Sequence, residues 1–153
     1  MRIVITAGGT GGHIFPAIAI IRKLQELDKN VEILYIGTKD RMEATIIPKM
    51  GISYVGIEMI GLNRKNVFKN VKTIQCLFNG VKKAKEVLKE FKPDFVLGVG
   101  GYITVPVLKA AQSLHIKCAI HEQNAIAGLS NKLLSKKVDR VFVSIEESKK
   151  YFD

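Results

Sequence analysis

Arg2-Ile3-Val4-Ile5-Thr6-Ala7-Gly8-Gly9-Thr10-Gly11-Gly12-His13 carries an apolar run straight into a glycine turn. The run lacks a polar face, as suits a strand buried on both sides of a parallel sheet. Beyond the turn, Ile14, Ile18, Ile21, Leu24 and Leu27 recur at helical spacing. Strand, glycine turn and helix in that order open a βαβ unit, and the remaining chain repeats the alternation. Strands are predicted at residues 2–7, 31–36, 54–57, 95–99, 117–121 and 140–144. Helices are predicted at residues 14–27, 40–50, 71–91, 104–114 and 129–136, with another beginning at 146. Pro48 blurs the end of the second helix and Gly80 weakens the third. Residues 59–70 show no clean period and read as a long loop. Together these elements predict an α/β fold built on a Rossmann-like, doubly wound parallel sheet with right-handed crossovers.

The chain has 153 residues, 47% of them hydrophobic and 25% charged, as expected for one globular domain and not for a disordered chain. No apolar run approaches the ~18–20 residues that a membrane span needs. The first residues enter a strand directly, without the apolar core of a signal peptide. Cys76 and Cys118 lie far apart in apolar stretches and read as buried free thiols, which suits a reducing cytoplasm.

Charge is unevenly placed. The net charge is +10, yet residues 61–92 alone hold nine basic groups against Glu86 and Glu90. Such a block attracts phosphates, nucleic acid or an anionic membrane surface. A nucleic-acid partner is disfavoured, because no recognition helix, zinc pattern or aromatic–basic interleaving accompanies the charge.

Ligands of doubly wound sheets bind at the carboxyl ends of the strands, near the point where strand order reverses. Three unusual stretches fall at strand ends: residues 8–13, 98–102 and 121–128. Neither glycine turn fits a known nucleotide fingerprint. Residues 8–13 lack the Gly-Lys-Ser/Thr of a phosphate loop, and the dinucleotide spacing meets Ile14 or Ile103 where a third glycine belongs. Either turn alone could serve only tight strand–helix packing. Two turns of similar design, Gly8-Gly-Thr-Gly-Gly-His13 and Gly98-Val-Gly-Gly-Tyr102, point instead to a pyrophosphate-bearing ligand. His13 falls in a first helical turn, where a neutral imidazole able to accept a proton is favoured, or where the ring merely braces the loop. His121 and Glu122 lack further ligands at metal-binding spacing, so no metal is expected. Glu122 and Asn124 read either as hydrogen-bonding groups for sugar hydroxyls or as internal braces of their loop. His115, at a helix end, reads as structural.

Four stretches carry a resemblance: residues 6–17, Gly37-Thr-Lys-Asp-Arg-Met-Glu43, residues 98–102 and His121-Glu-Gln-Asn-Ala-Ile-Ala-Gly-Leu-Ser-Asn-Lys132. In order and over nearly the whole chain they resemble the MurG family, bacterial transferases that move N-acetylglucosamine from UDP to lipid I, the undecaprenyl-pyrophosphoryl acceptor of peptidoglycan synthesis. The resemblance implies that residues 1–153 are the amino-terminal, acceptor-binding domain of a two-domain GT-B glycosyltransferase. The carboxy-terminal donor domain is absent from this chain, so little activity is expected of it alone. No cofactor or metal is implied. The expected partners are UDP-N-acetylglucosamine, lipid I and the anionic inner membrane surface, at the cytoplasmic face of the cell membrane.

By the same resemblance, His13 or Glu122 is the catalytic base. Thr10, Gly11, Gly12, Gly100, Gly101 and Tyr102 would face the diphosphate, and Gln123 and Asn124 would line the substrate site. Because the acceptor's polyprenyl tail stays in the bilayer, Ile60, Leu62, Arg64, Lys65, Phe68, Lys69 and Lys72 are expected at the membrane. The alternative is a solvated basic helix with its apolar residues turned to the core. Two other readings stay open: a non-catalytic, acceptor-recruiting subunit of a two-chain transferase, and a related glycolipid glycosyltransferase.

Overall fold

The computed structural model describes residues 1–60 and 70–152, with the side chains of residues 70 and 71 left out. Six strands form one all-parallel sheet: β1 (Arg2–Thr6), β2 (Glu32–Thr38), β3 (Ser53–Ile57), β4 (Phe95–Gly98), β5 (Cys118–Glu122) and β6 (Arg140–Val143). The helices between them are α1 (Gly11–Leu27), α2 (Met42–Lys49), α3 (Asn70–Phe91), α4 (Thr104–Ser113) and α5 (Leu129–Ser135). The order across the sheet is β3-β2-β1-β4-β5-β6. From β1 the chain winds outward in one direction, then returns to β4 and winds outward in the other. The reversal therefore lies between β1 and β4, and a crevice opens there beyond their carboxyl ends.

Alternation along β1 divides the core between the two faces of the sheet. Ile3 and Ile5 pack with Ile14, Ile18 and Ile21 of α1, whereas Val4 joins Leu88, Val107 and Leu108 beneath α3 and α4. Both faces are dry, which is why β1 has no polar side. Gly80 is not a weakness of α3. A Cβ there would stand 3.3 Å from both Pro106 and Met59, so the missing side chain lets α3 approach α4 closely.

Several boundaries differ from expectation. α1 begins at Gly11, three residues early, and takes in two glycines and Pro16. Pro16 has no N–H, so the Gly12 carbonyl loses its helical donor close to the crevice. The last segment is a 3-10 turn, Glu146–Tyr151, instead of an α-helix. Cys118 is buried as expected, but Cys76 is only half-buried, its thiol donating to the Glu58 carbonyl at 3.1 Å. Of the residues expected at the membrane, Leu62, Arg64, Lys65, Phe68 and Lys69 lie outside the described residues.

Candidate functional site

The two glycine turns leave neighbouring strands and interlock. Val99 N–H donates to the Thr6 carbonyl at 2.8 Å, and Gly8 N–H donates to the Gly100 carbonyl at 3.3 Å. Gly101 lies against Gly8 so closely that a Cβ would stand 2.2 Å from the Gly8 carbonyl oxygen, and its φ is +90°. Backbone meets backbone here, so the two turns form one unit.

His13 stands on that unit. Its ring lies over Gly100, where a Cβ would come within 2.4 Å of Cδ2. Its Nδ1 is 3.2 Å from Thr10 Oγ1. If Nδ1–H donates to Thr10, Nε2 carries a free lone pair and can accept a proton. His13, Gly100, Gly101, Tyr102 and Glu122 line a cavity of about 170 Å³ whose far wall is Gly128–Asn131. A second cavity, about 230 Å³, is lined by Gly8, Gly9, Thr10, Thr38, Arg41 and Tyr102, among others. Tyr102, 41% exposed, is shared by both.

Glu122 does not have the environment of a catalytic base. It is 1% exposed, and Oε1 accepts from the N–H and the side-chain amide of Asn124 at 3.0 and 2.9 Å. Oε2 accepts from Gly128 N–H and Asn131 Nδ2, both at 2.9 Å. Burial alone would raise this carboxyl, but the four hydrogen bonds outweigh it and hold the group below its ordinary value. With every donor supplied by its own loop and by α5, Glu122 braces the turn that follows β5. Asn124 is a partner in that brace. Its side chain and the half-buried Gln123 line neither cavity, nor do Gly11 and Gly12. His121 is likewise engaged within the chain, with Nε2 3.0 Å from Ser144 Oγ. Burial lowers its imidazole below the ordinary value, against the opposing pull of Glu122. Among the described residues no group of three or more His, Cys, Asp or Glu could hold a metal ion.

Two contributors were missed from sequence. Asn131 and Glu43 are buried polar residues on short helices, 2% and 0% exposed. A signal existed in each case: Glu43 shares the buried face of α2 with Ile47, and Asn131 shares that of α5 with Leu134. A lone polar residue on an apolar face marks a place where the fold needs a hydrogen bond.

Residues 3–143 match the glycosyltransferase family 28 N-terminal domain. The chain belongs to this family. Among curated relatives, a Bacillus licheniformis protein is 50% identical over 152 residues, and one from Bacillus subtilis strain 168 is 49% identical. Both carry the name UDP-N-acetylglucosamine–N-acetylmuramyl-(pentapeptide) pyrophosphoryl-undecaprenol N-acetylglucosamine transferase. Each match covers 99% of this chain but 42% of the relative, so the chain spans about two fifths of their length. The crystal structure of MurG from Acinetobacter baumannii superposes with a TM-score of 0.84 at 31% identity, over 96% of this chain and 42% of that one. The family match confirms the expected relationship, and the superposition confirms the doubly wound fold.

Of the expected membrane residues, Ile60 and Lys72 can be placed. Ile60 and Lys72 are exposed, as are Ile74 and Phe78 one turn apart on α3 and Leu129 and Leu133 on α5. Between these helices runs an apolar cleft of about 140 Å³, lined by Met59, Leu77, Tyr102, Val105, Leu129 and Leu133 among others. Tyr102 and Leu129 also line the His13 cavity, so the apolar cleft and the polar cavity adjoin. Among the described residues no helix is long and apolar enough to cross a membrane.

Proposed function

We propose that this chain is the acceptor-binding half of an inverting transferase that moves N-acetylglucosamine from UDP-N-acetylglucosamine to the muramyl 4-hydroxyl of lipid I. The observation that carries this reading is an imidazole fixed on two interlocked glycine turns at the mouth of an open crevice. Nε2 of His13 takes the proton of the acceptor hydroxyl as its oxygen bonds to the sugar C1. The bond from C1 to the UDP β-phosphate oxygen breaks, and its electron pair leaves with UDP. Thr10, Gly11, Gly12 and Gly100–Tyr102 supply N–H and hydroxyl donors for diphosphate charge, with Arg41 across the second cavity. Gly12 supports close approach of a ligand, because a Cβ there would meet only Thr10 Oγ1, at 3.7 Å. Gln123 and Asn124 follow Glu122 in the braced loop, and their part in the substrate site is to hold that loop in place.

In this reading the sugar nucleotide is bracketed by a second, donor-side domain, and this chain alone turns over little. The exposed apolar residues of α3 and α5, with Ile60, Leu62, Arg64, Lys65, Phe68, Lys69 and Lys72, rest on an anionic membrane surface at its cytoplasmic face. Apolar insertion plus attraction to anionic lipid makes such contact peripheral and salt-sensitive. The apolar cleft beside the His13 cavity suits an acceptor whose head is polar and whose tail is lipid.

The test is His13→Ala in this chain joined to the carboxy-terminal part of the Bacillus subtilis relative. A general base typically supplies 10²–10⁴-fold, so kcat is expected to fall by about that factor with KM changed far less. A near-normal kcat would reduce His13 to a brace.

A further inference from the structure

We propose that Glu43 is the positioning residue of the first glycine turn, its buried carboxyl holding Gly9 so that residues 10–13 face a diphosphate. The proposal rests on the reading of the site above, and extends it to a side chain that touches no substrate. Glu43 is 0% exposed and sits near the start of α2, yet its carboxyl reaches under the carboxyl ends of β1 and β2. Oε1 accepts from the Thr38 N–H at 3.0 Å and the Thr38 hydroxyl at 2.7 Å. Oε2 accepts from Gly9 N–H at 3.3 Å. One carboxyl thus ties the end of β2 to Gly9, in the middle of the glycine turn and 34 residues from Glu43 in sequence.

Two glycines make room for it. A Cβ on Gly8 would stand 2.2 Å from Glu43 Oε1, and one on Gly37 would stand 2.7 Å from Glu43 Cγ. Gly8, which in the sequence belongs to a turn pointing to a pyrophosphate-bearing ligand, is therefore glycine to clear Glu43. Two phenols close the same layer. Tyr35 donates to the Ala7 carbonyl at 3.0 Å, and Tyr54 donates to the Thr38 carbonyl. Burial first, and the Glu43 charge second, push both phenols well above their ordinary value.

The consequence lies in the turn itself. Gly9 has a φ of +91°, and its N–H points down to Glu43, away from the crevice. The Gly11 and Gly12 amides that follow begin α1 and have no helical acceptor, whereas the His13 N–H already donates to the Thr10 carbonyl at 3.1 Å. Holding Gly9 down sets the direction in which those amides point. A glutamine in this place offers one acceptor oxygen and one NH₂, so either Gly9 N–H or the Thr38 pair would face a donor.

The experiment uses the ¹⁵N-labelled chain and inorganic pyrophosphate. Binding is followed at the amides of residues 10–13, and hydrogen exchange is followed at the Gly9 amide. In folded Glu43→Gln, pyrophosphate binding is expected to weaken at least tenfold, and Gly9 exchange to quicken by a similar factor, while β5 amides keep wild-type protection. Tyr54→Phe removes a neighbouring hydrogen bond and serves as the control; it is expected to lower stability yet leave pyrophosphate affinity within twofold. Should Glu43→Gln fail to fold, Glu43→Asp, too short to hold both Thr38 and Gly9, is expected to give the same weakening. Affinity and Gly9 exchange unchanged in either folded variant would overturn the proposal, as would failure of both variants to fold, which would make Glu43 a folding residue only. If the wild-type chain shows no pyrophosphate shifts at residues 10–13, the site reading fails separately, and Gly9 exchange alone decides the role of Glu43.

Discussion

Gly100 and Gly101 are neighbours with different duties, and alanine at each should separate them. At Gly101 the added Cβ meets the Gly8 carbonyl, a backbone atom that cannot move without pulling β1 from β4. Positive φ strains alanine at both positions, +105° at Gly100 and +90° at Gly101, so the backbone clash makes the difference and Gly101→Ala is expected to cost about 2–4 kcal/mol in denaturant unfolding. At Gly100 the Cβ meets the His13 ring, which can rotate away. Gly100→Ala therefore loses less stability than Gly101→Ala, yet in the joined enzyme it lowers kcat by displacing the imidazole. Equal stability losses with kcat unchanged by Gly100→Ala would contradict the placement of His13. His13 and the glycines were legible in the sequence because they form a local pattern between one strand and one helix. Glu43 was not. Its partners come from the ends of two strands, and a charged residue in Asp40-Arg41-Met42-Glu43 reads as surface until its phase with Ile47 is weighed.

At the scale of elements, the end of β5 is held by the four hydrogen bonds to Glu122, and this cluster makes stability depend on pH. Glu122 lies below its ordinary carboxyl value when folded, so its contribution is complete above the unfolded value and is lost as pH falls through the folded one. His121 is also depressed. Its neutral form is favoured in the fold, and stability begins to fall as pH drops below about 6.5, the ordinary histidine value. Stability is expected to fall with pH in two stages, with Glu122→Gln reducing the lower one and His121→Asn the upper. Stability independent of pH between 7 and the lower stage would contradict the His121 part. Asn131→Ala leaves one Glu122 oxygen short of a donor, and is expected to cost about 1–3 kcal/mol in thermal or denaturant unfolding. The sequence left Glu122 between sugar contact and brace. The choice depended on Asn131 of α5, which sequence spacing could not bring to the carboxyl. On α3, the exposed pair Ile74 and Phe78, the latter 70% exposed, makes a further prediction. Ile74→Asp with Phe78→Asp should reduce sedimentation with anionic vesicles severalfold, and raised salt should weaken the wild type as well. Sedimentation indifferent to both would remove the membrane role of this face.

Across the whole molecule, the order β3-β2-β1-β4-β5-β6 brings two turns some ninety residues apart in sequence to one crevice. Alternating strands and helices made the layered fold legible, because apolar runs on β1, β2 and β4 demand burial on both faces. Strand order was less legible, since parallel pairing is fixed by long crossovers and by helix packing such as that of Gly80 on Pro106, which leave no local signature. The same geometry gives the chain a polar cavity, an apolar cleft beside it and the exposed apolar edges of α3 and α5. We propose that the joined glycine turns and His13 receive a diphosphate-linked sugar acceptor. The direct measurement is titration of the ¹⁵N-labelled chain with a soluble short-chain lipid I analogue, read residue by residue. Saturable shifts centred on Gly9–His13 and Gly100–Tyr102, with β6 and the 3-10 turn silent, are the predicted result; shifts confined elsewhere, or none at millimolar analogue, would contradict it.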